Sequence, residues 1–231
     1  MAVNEKHFCR CMGEGITRDA GQSRSKAVLL NGYKWEPGTT LSIRFLGGDA
    51  QLQQRVKAVA KEWLEFANLT FKFLQSGAAD IRIAFVEGNG SWSYIGTMCK
   101  GIDESQPTMN FGWLTADSSD EVLRSVVLHE FGHALGLIHE HQSPNDGGIQ
   151  WNTDAVVADL SGPPNYWDKE TIEENMFKKY SENEVVMTAV DPLSIMMYPI
   201  PLSWTLDGTT AGFNSSLSAL DKQLIKQAYF R

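Results

Sequence analysis

Residues 41–46 alternate apolar and polar side chains as a half-buried strand does, and Gly47-Gly48-Asp49 ends the alternation. The period then changes. Leu52, Val56, Val59, Ala60, Trp63 and Phe66 recur every three or four residues, which predicts a helix whose apolar stripe packs on a sheet. Residues 70–74 and 80–86 return to a strand pattern, with Ile81, Ile83 and Phe85 on one face. A glycine-rich turn, Glu87-Gly88-Asn89-Gly90, leads into residues 91–97, and 108–113 reads as one more strand. A second long helix is expected from Ser118 or Ser119, where a serine cap precedes Asp120 and Glu121, with Val122, Val126, Leu128 and Phe131 on its buried side. Beyond Gly136 the composition shifts: 143–167 is rich in Gly, Pro, Asn and Asp and reads as loops. Helices are expected over 169–179 and 219–230, the latter capped by Ser218 with Asp221 three residues on.

The second long helix carries the chemistry. Four of the five histidines lie between 129 and 141, in a run containing the pattern HExxHxxGxxH. His129 and His133 are four residues apart, so on a helix they sit on one face and can offer two imidazole nitrogens to one tetrahedral metal. Glu130 is rotated to the flank, where a carboxylate can take a proton from a metal-bound water rather than bind the metal. His139 lies six residues past His133, on roughly the opposite face of a straight helix, so the chain must turn. Gly136 can take the left-handed conformation that ends helices and bring His139 round. Three protein ligands leave one coordination position open, the mark of a catalytic Zn2+ rather than a structural one. His141 and His7 are not needed by this spacing and are expected at the surface.

The formal charge of −8 argues against a nucleic-acid partner, for which a basic face is expected. No segment is long and apolar enough to span a bilayer. The first twenty residues are studded with charges and show no secretory signal, so export to an extracellular site requires a leader already removed or another route. A monomer is expected, and the class of substrate is not set by composition.

Some fifty-five residues past the histidines stands Asp191-Pro192-Leu193-Ser194-Ile195-Met196-Met197-Tyr198-Pro199. The extended zinc motif followed by Ser-x-Met-x-Tyr resembles the metzincin endopeptidases and, within them, the astacin-like branch. Residues 27–45, Trp92-Ser93-Tyr94-Ile95-Gly96, Glu140 and Leu217-Ser218-Ala219-Leu220-Asp221 are further astacin-like landmarks. The resemblance implies an α+β, metzincin-like fold: a twisted, mostly parallel, mixed five-stranded sheet with two long helices in an upper subdomain (27–136), a zinc cleft, and an irregular lower subdomain (137–231) ending in a helix. It implies that Met196 packs as an apolar floor beneath the zinc without binding it. Tyr198 would lie near or on the zinc and hydrogen-bond the tetrahedral intermediate, and Glu140 would anchor a trimmed N-terminus. Residues 91–97 would be the sheet's edge strand, on which Trp92, Ser93 and Tyr94 bind an extended peptide through unpaired backbone groups.

The departures concern cysteine. Animal astacins carry two disulfides, whereas this chain has only Cys9, Cys11 and Cys99, at other places. Residues 1–26 would then be an extra arm holding Cys9 and Cys11 ahead of Arg24-Ser25-Lys26. A thiolate is a strong zinc ligand, so the arm reads as a zymogen's latency peptide, cut near Arg24 or Lys26. A flexible arm with surface cysteines, or a disulfide to Cys99, are the alternatives. Animal astacins use an aspartate in an Fx-Gly-Asp-like motif for latency; Phe45-Leu46-Gly47-Gly48-Asp49 looks similar but follows the first strand, where it serves the helix start. Two other functions compete. Another zinc-peptidase clan takes its third ligand from a later glutamate, here Glu170, Glu173 or Glu174, and a silent binding module could use the same scaffold. The pocket for the residue after the cut is expected in 142–151 and 199–207, with Trp151, Trp167 and Trp204 as candidate walls.

Overall fold

The computed structural model describes residues 7–12, 29–144, 148–181, 185–186 and 190–230. A short strand β1 (Arg10–Met12) opens it, followed by β2 (Leu29–Leu30), β3 (Thr40–Phe45) and helix α1 (Ala50–Ala60). Asp49 starts α1 by accepting the backbone N–H groups of Gln51 and Leu52, and Leu52, Val56, Val59 and Ala60 form the buried stripe. Then come β4 (Thr70–Leu74), β5 (Ile81–Ala84), β6 (Ser91–Tyr94) and β7 (Met109–Phe111). Residues beyond Tyr94 leave the strand for a 3₁₀ turn over Gly96–Gly101, so the sixth strand is shorter than its sequence pattern.

Five of these strands form the open mixed sheet, in the order β6-β7-β5-β3-β4, and β1 adds a sixth at the β6 edge. β4, β3, β5 and β7 run parallel, and β6 is antiparallel to β7. α1 and helix α2 (Asp120–Ala134) are the two long helices that pack with this sheet. α2 starts at Ser119, whose side chain accepts from Val122 N–H. Its buried side departs from the expected set: Leu123 and Val127 are buried with Val126, Leu128 and Phe131, while Val122 is half-buried and lines a cavity.

The lower part is less irregular than its composition suggests. Helix α3 (Thr153–Ser161) falls inside the expected loop, capped by Asn152 and anchored by Val156 and Leu160. Helix α4 (Lys169–Ile172) runs on into a π-helical turn over Glu173–Phe177. Strand β8 (Val185–Val186) pairs with β2. The last helix, α5 (Ala219–Tyr229), has a full capping box between Ser218 and Asp221.

Candidate metal centre

α2 ends where the metal site needs it to end. Gly136 takes φ +96, Leu137 N–H donates to Gly132 C=O at 3.0 Å and Gly136 N–H to His133 C=O at 2.8 Å, the paired bonds of a Schellman stop. Two side chains take further carbonyls at this end: Trp35 Nε1 donates to Ala134 at 2.8 Å and Tyr229 Oη to Leu135 at 2.7 Å. Leu30 N–H donates to Gly136 C=O at 3.0 Å, which ties the reversal to β2.

The turn brings His139 back to His129 and His133, and all three are buried. Each Nδ1 faces an oxygen: His129 that of Ile195 at 2.8 Å, His133 that of Leu137 at 2.8 Å, His139 Oε1 of Gln142 at 3.2 Å. Backbone carbonyls only accept, and Gln142 is oriented by its own Nε2 donating to Glu174 C=O at 2.7 Å, so all three Nδ1 atoms carry the proton. The Nε2 lone pairs therefore converge, with separations of 3.1 Å from His133 to His129 and 3.2 Å from His133 to His139. Burial pushes the His129 imidazole down to about 4 and holds those of His133 and His139 well below their ordinary value, the neighbouring imidazoles adding to it. Three neutral, oriented imidazoles with nothing but lone pairs between them fit a single Zn2+.

Glu130 lies beside this cluster, wholly buried, and neither carboxylate oxygen has a conventional hydrogen-bond partner among the described residues. Burial raises its pKa well above the ordinary carboxylate value, opposed by the facing Cys9 thiol and by Arg10. Below the cluster, Met196 Sδ packs on Gly132, where an added Cβ would come within 2.4 Å of the sulfur. The turn carrying Met196 is held from α5. Asp221 accepts from Ser194 Oγ at 2.7 Å, Ile195 N–H at 2.9 Å and Ser218 N–H at 2.8 Å. Asn214 Nδ2 donates to Pro192 and Ser194 carbonyls, both at 2.9 Å. Tyr198 is buried, its ring centroid 4.2 Å from that of His139 and 5.8 Å from that of His129.

Residues 7–12 run through the cleft. β1 lies parallel on β6, pairing Arg10 with Trp92, Cys11 with Ser93 and Met12 with Tyr94, so the expected substrate edge is taken by the chain's own arm. Tyr198 Oη donates to the Cys9 carbonyl, and the Cys9 thiol, buried, faces Glu130. Cys9 does not join the three-histidine cluster, and the Cys11 side chain lies outside the described residues, as do Arg24 and Lys26. Cys9 and Cys99 are free thiols, which excludes the disulfide between them.

Residues 31–230 match the family Astacin (Peptidase family M12A). This chain belongs to the astacin family. A solved structure of myroilysin shares 42% identity with it at a TM-score of 0.85, covering 89% of this astacin and 99% of that chain. High choriolytic enzyme 1, a hatching enzyme zinc-protease from Oryzias latipes, shares the fold at 15% identity and a TM-score of 0.55, covering 84% of this chain and 92% of that one. Stromelysin-3 of Mus musculus is 31% identical over 135 residues, 51% of this chain and 27% of that protein, and zinc metalloproteinase nas-37 of Caenorhabditis elegans is 30% identical over 123 residues, 53% and 14%. The chain thus spans about a quarter of the length of the first curated relatives it matches. No helix among the described residues is long and apolar enough to cross a membrane.

Several expectations need correcting in this astacin. His141 is not at the surface: it is wholly buried, its Nε2 donates to Asn175 C=O at 2.8 Å, and its ring packs on His139, Tyr198 and Trp151. His7 is half-buried against Trp113. Glu170, Glu173 and Glu174 stand apart from the metal cluster, and Glu174 pairs with Lys178 instead. Glu140 is buried and accepts Asp191 N–H at 3.0 Å. A cavity of about 480 Å3 also lies against His129, walled by Val122, Val126, Met197, Pro199 and Phe213. Gln142, Asn214 and the second role of Asp221 had no local signal: Asn214 and Asp221 act on a turn about twenty to thirty residues away, and Gln142, though close to His139, is oriented from Glu174.

Proposed function

We propose that this astacin is a zinc-dependent endopeptidase that hydrolyses internal peptide bonds of protein substrates, and that residues 7–12 keep the uncut chain latent. The observation that carries this reading is the wholly buried carboxylate of Glu130, faced by the Cys9 thiol, beside three convergent imidazoles. A scaffold that only bound metal would gain nothing from a carboxylate desolvated at such cost. Zinc, when bound, supplies a Lewis acid that activates a water molecule. Glu130 takes the proton of that water and passes it to the leaving amine, and its burial raises its pKa toward the value such a shuttle needs. The Tyr198 hydroxyl, now on the Cys9 carbonyl, is the donor for the oxygen of the attacked peptide carbonyl. The backbone of Trp92, Ser93 and Tyr94 holds the substrate as an added strand.

Latency follows from what the arm occupies: the β6 edge, the Tyr198 hydroxyl and the space before Glu130. The Cys9 thiol is the group at the centre, and its thiolate would take the open coordination position. Removal of residues 1–26 frees the cleft and lets the new N-terminus reach the Glu140 region.

Casein cleavage by purified protein tests the reading. Glu130→Gln is expected to lower the rate by about 10²–10⁴-fold. Cys9→Ser is expected to raise activity of the uncut chain, and Cys11→Ser serves as its neighbour control. Equal cleavage by wild type and Glu130→Gln would instead favour the silent binding module, and unchanged activity of Cys9→Ser would sink latency by the Cys9 thiol.

A further inference from the structure

Phe8 is the arm residue next to Cys9, and it enters a box of three aromatic rings. Its ring stacks on Trp204 at 5.0 Å between centroids and 28° between planes, and meets Tyr198 and Trp167 edge-on at 5.4 Å and 6.4 Å. Only 5% of Phe8 is exposed. The three walls come from separate places in the chain and are fixed from behind. Trp204 Nε1 donates to Asp159 Oδ2 at 2.7 Å, Trp167 N–H to Leu160 C=O at 3.0 Å, and both tryptophans are buried. The backbone is held as well, because Phe8 N–H donates to Asn165 Oδ1 at 3.1 Å. Stacked and edge-on neighbours around one ring are the arrangement that selects an aromatic side chain over an aliphatic one of equal area.

The position of this box relative to the chemistry is given by the arm itself. Tyr198 donates to the carbonyl of Cys9, residues 10–12 pair with β6, and Phe8 lies on the other side of Cys9, away from the edge strand. Antiparallel pairing is the more stable per residue, and a peptide laid that way on β6, opposite to the arm, would keep the residues before the cut bond on the strand and put the first residue after it where Phe8 lies. Resting on the peptidase reading above, we infer that Trp167, Tyr198 and Trp204 form the pocket for the residue directly after the cut bond, that it takes a large aromatic side chain, and that the Asn165 side-chain amide faces that residue's backbone on the side away from the cut. Phe8 is then the arm's mimic of the substrate residue, which holds the arm in the cleft independently of its cysteines.

The test has a binding arm and a cleavage arm. In the full-length chain, Phe8→Ala empties the box, so N-acetyl-phenylalanine amide is expected to bind and change tryptophan fluorescence, N-acetyl-alanine amide at least about tenfold more weakly, and wild type to bind neither. In the cleavage arm, the new N-termini released from unfolded casein are read by mass spectrometry. Phenylalanine, tyrosine and tryptophan are expected there at least about tenfold over charged residues, and Trp204→Leu is expected to lower the ratio of phenylalanine to alanine cleavage by about tenfold. Product N-termini without aromatic preference, or a Trp204→Leu ratio equal to wild type, overturn the inference. If neither form cleaves casein, the peptidase reading fails on its own, and the probe decides the box: selective binding by Phe8→Ala upholds an aromatic pocket, and no binding refutes it. Asn165→Ala, a smaller change, covers the case in which Trp204→Leu does not fold, and it is expected to weaken the binding of N-acetyl-phenylalanine amide to Phe8→Ala.

Discussion

Replacing Gly132 by alanine sets one methyl group against the floor of the metal site. Its Cβ would lie 2.4 Å from Met196 Sδ, 3.3 Å from Met196 Cε and 3.3 Å from Trp63 Cζ2. The first contact is far inside van der Waals range, and neither neighbour yields readily. Trp63 is wholly buried with its Nε1 on Leu128 C=O at 3.0 Å, and the Met196 backbone is fixed by Ser194 Oγ at 3.0 Å. Overpacking of this kind costs roughly 1–3 kcal/mol. Alanine returns about 1 kcal/mol through its better helix propensity. The net loss is therefore about 0–2 kcal/mol, a fall in Tm of up to roughly 8 °C for a chain of this size. Because the same turn presents the Ile195 carbonyl to His129 Nδ1, the displaced methionine should also weaken zinc binding, by up to about 10–100-fold. Thermal unfolding and zinc competition with a chelator measure both. The decisive comparison is the same substitution in a Met196→Ala background, where the sulfur is gone and Gly132→Ala should become stabilising. An equal loss in both backgrounds would show that Met196 is not what the methyl meets, and would refute the packing argument.

Other predictions are more direct. Asp221→Ala removes the shared acceptor of Ser194, Ile195 and Ser218, and should lower stability in urea by about 3 kcal/mol or more, with zinc affinity falling alongside it. Gln142→Ala leaves His139 Nδ1 without its acceptor and should weaken zinc roughly 10–100-fold with little change in fold, read by chelator competition and circular dichroism. Burial raises the Cys99 thiol to about 12, so with the native chain at pH 8 an alkylating reagent should leave Cys99 unmodified, while the chain in guanidinium should react there; ready labelling of the native chain would contradict its packing.

What could be read from the sequence is what is local along it. His129, Glu130 and His133 share one helix and Gly136 sits at its end, so their relation follows from helical period and one left-handed residue. β4 and α5 carry clean periodicity and clear punctuation, and both stand within a residue of their expected bounds. α3 was hidden by its surroundings: Gly147, Gly148, Pro163 and Pro164 colour the composition, although Asn152 followed by Val156 and Leu160 is a capped apolar stripe. The burial of His141 and the hold of Gln142 on His139 depend on the turn over Glu173–Phe177, about thirty residues away, and no spacing rule reaches that far. The Phe8 box was legible in part: Trp167 and Trp204 stand out in the sequence as candidate walls, but their meeting with Tyr198 around one ring depends on the folded chain.

The bond between Asp221 and the Ser194–Ile195 turn is also a matter of timing during synthesis. His129, His133 and His139 leave the ribosome long before α5, and the upper sheet and both long helices can condense as they emerge. Without Asp221 the methionine floor loses the acceptor shared by Ser194 and Ile195, and the Ile195 carbonyl that faces His129 Nδ1 is less firmly fixed. A nascent chain can therefore hold all three ligands and still have no finished centre, and the metal site is completed only when residue 221 docks.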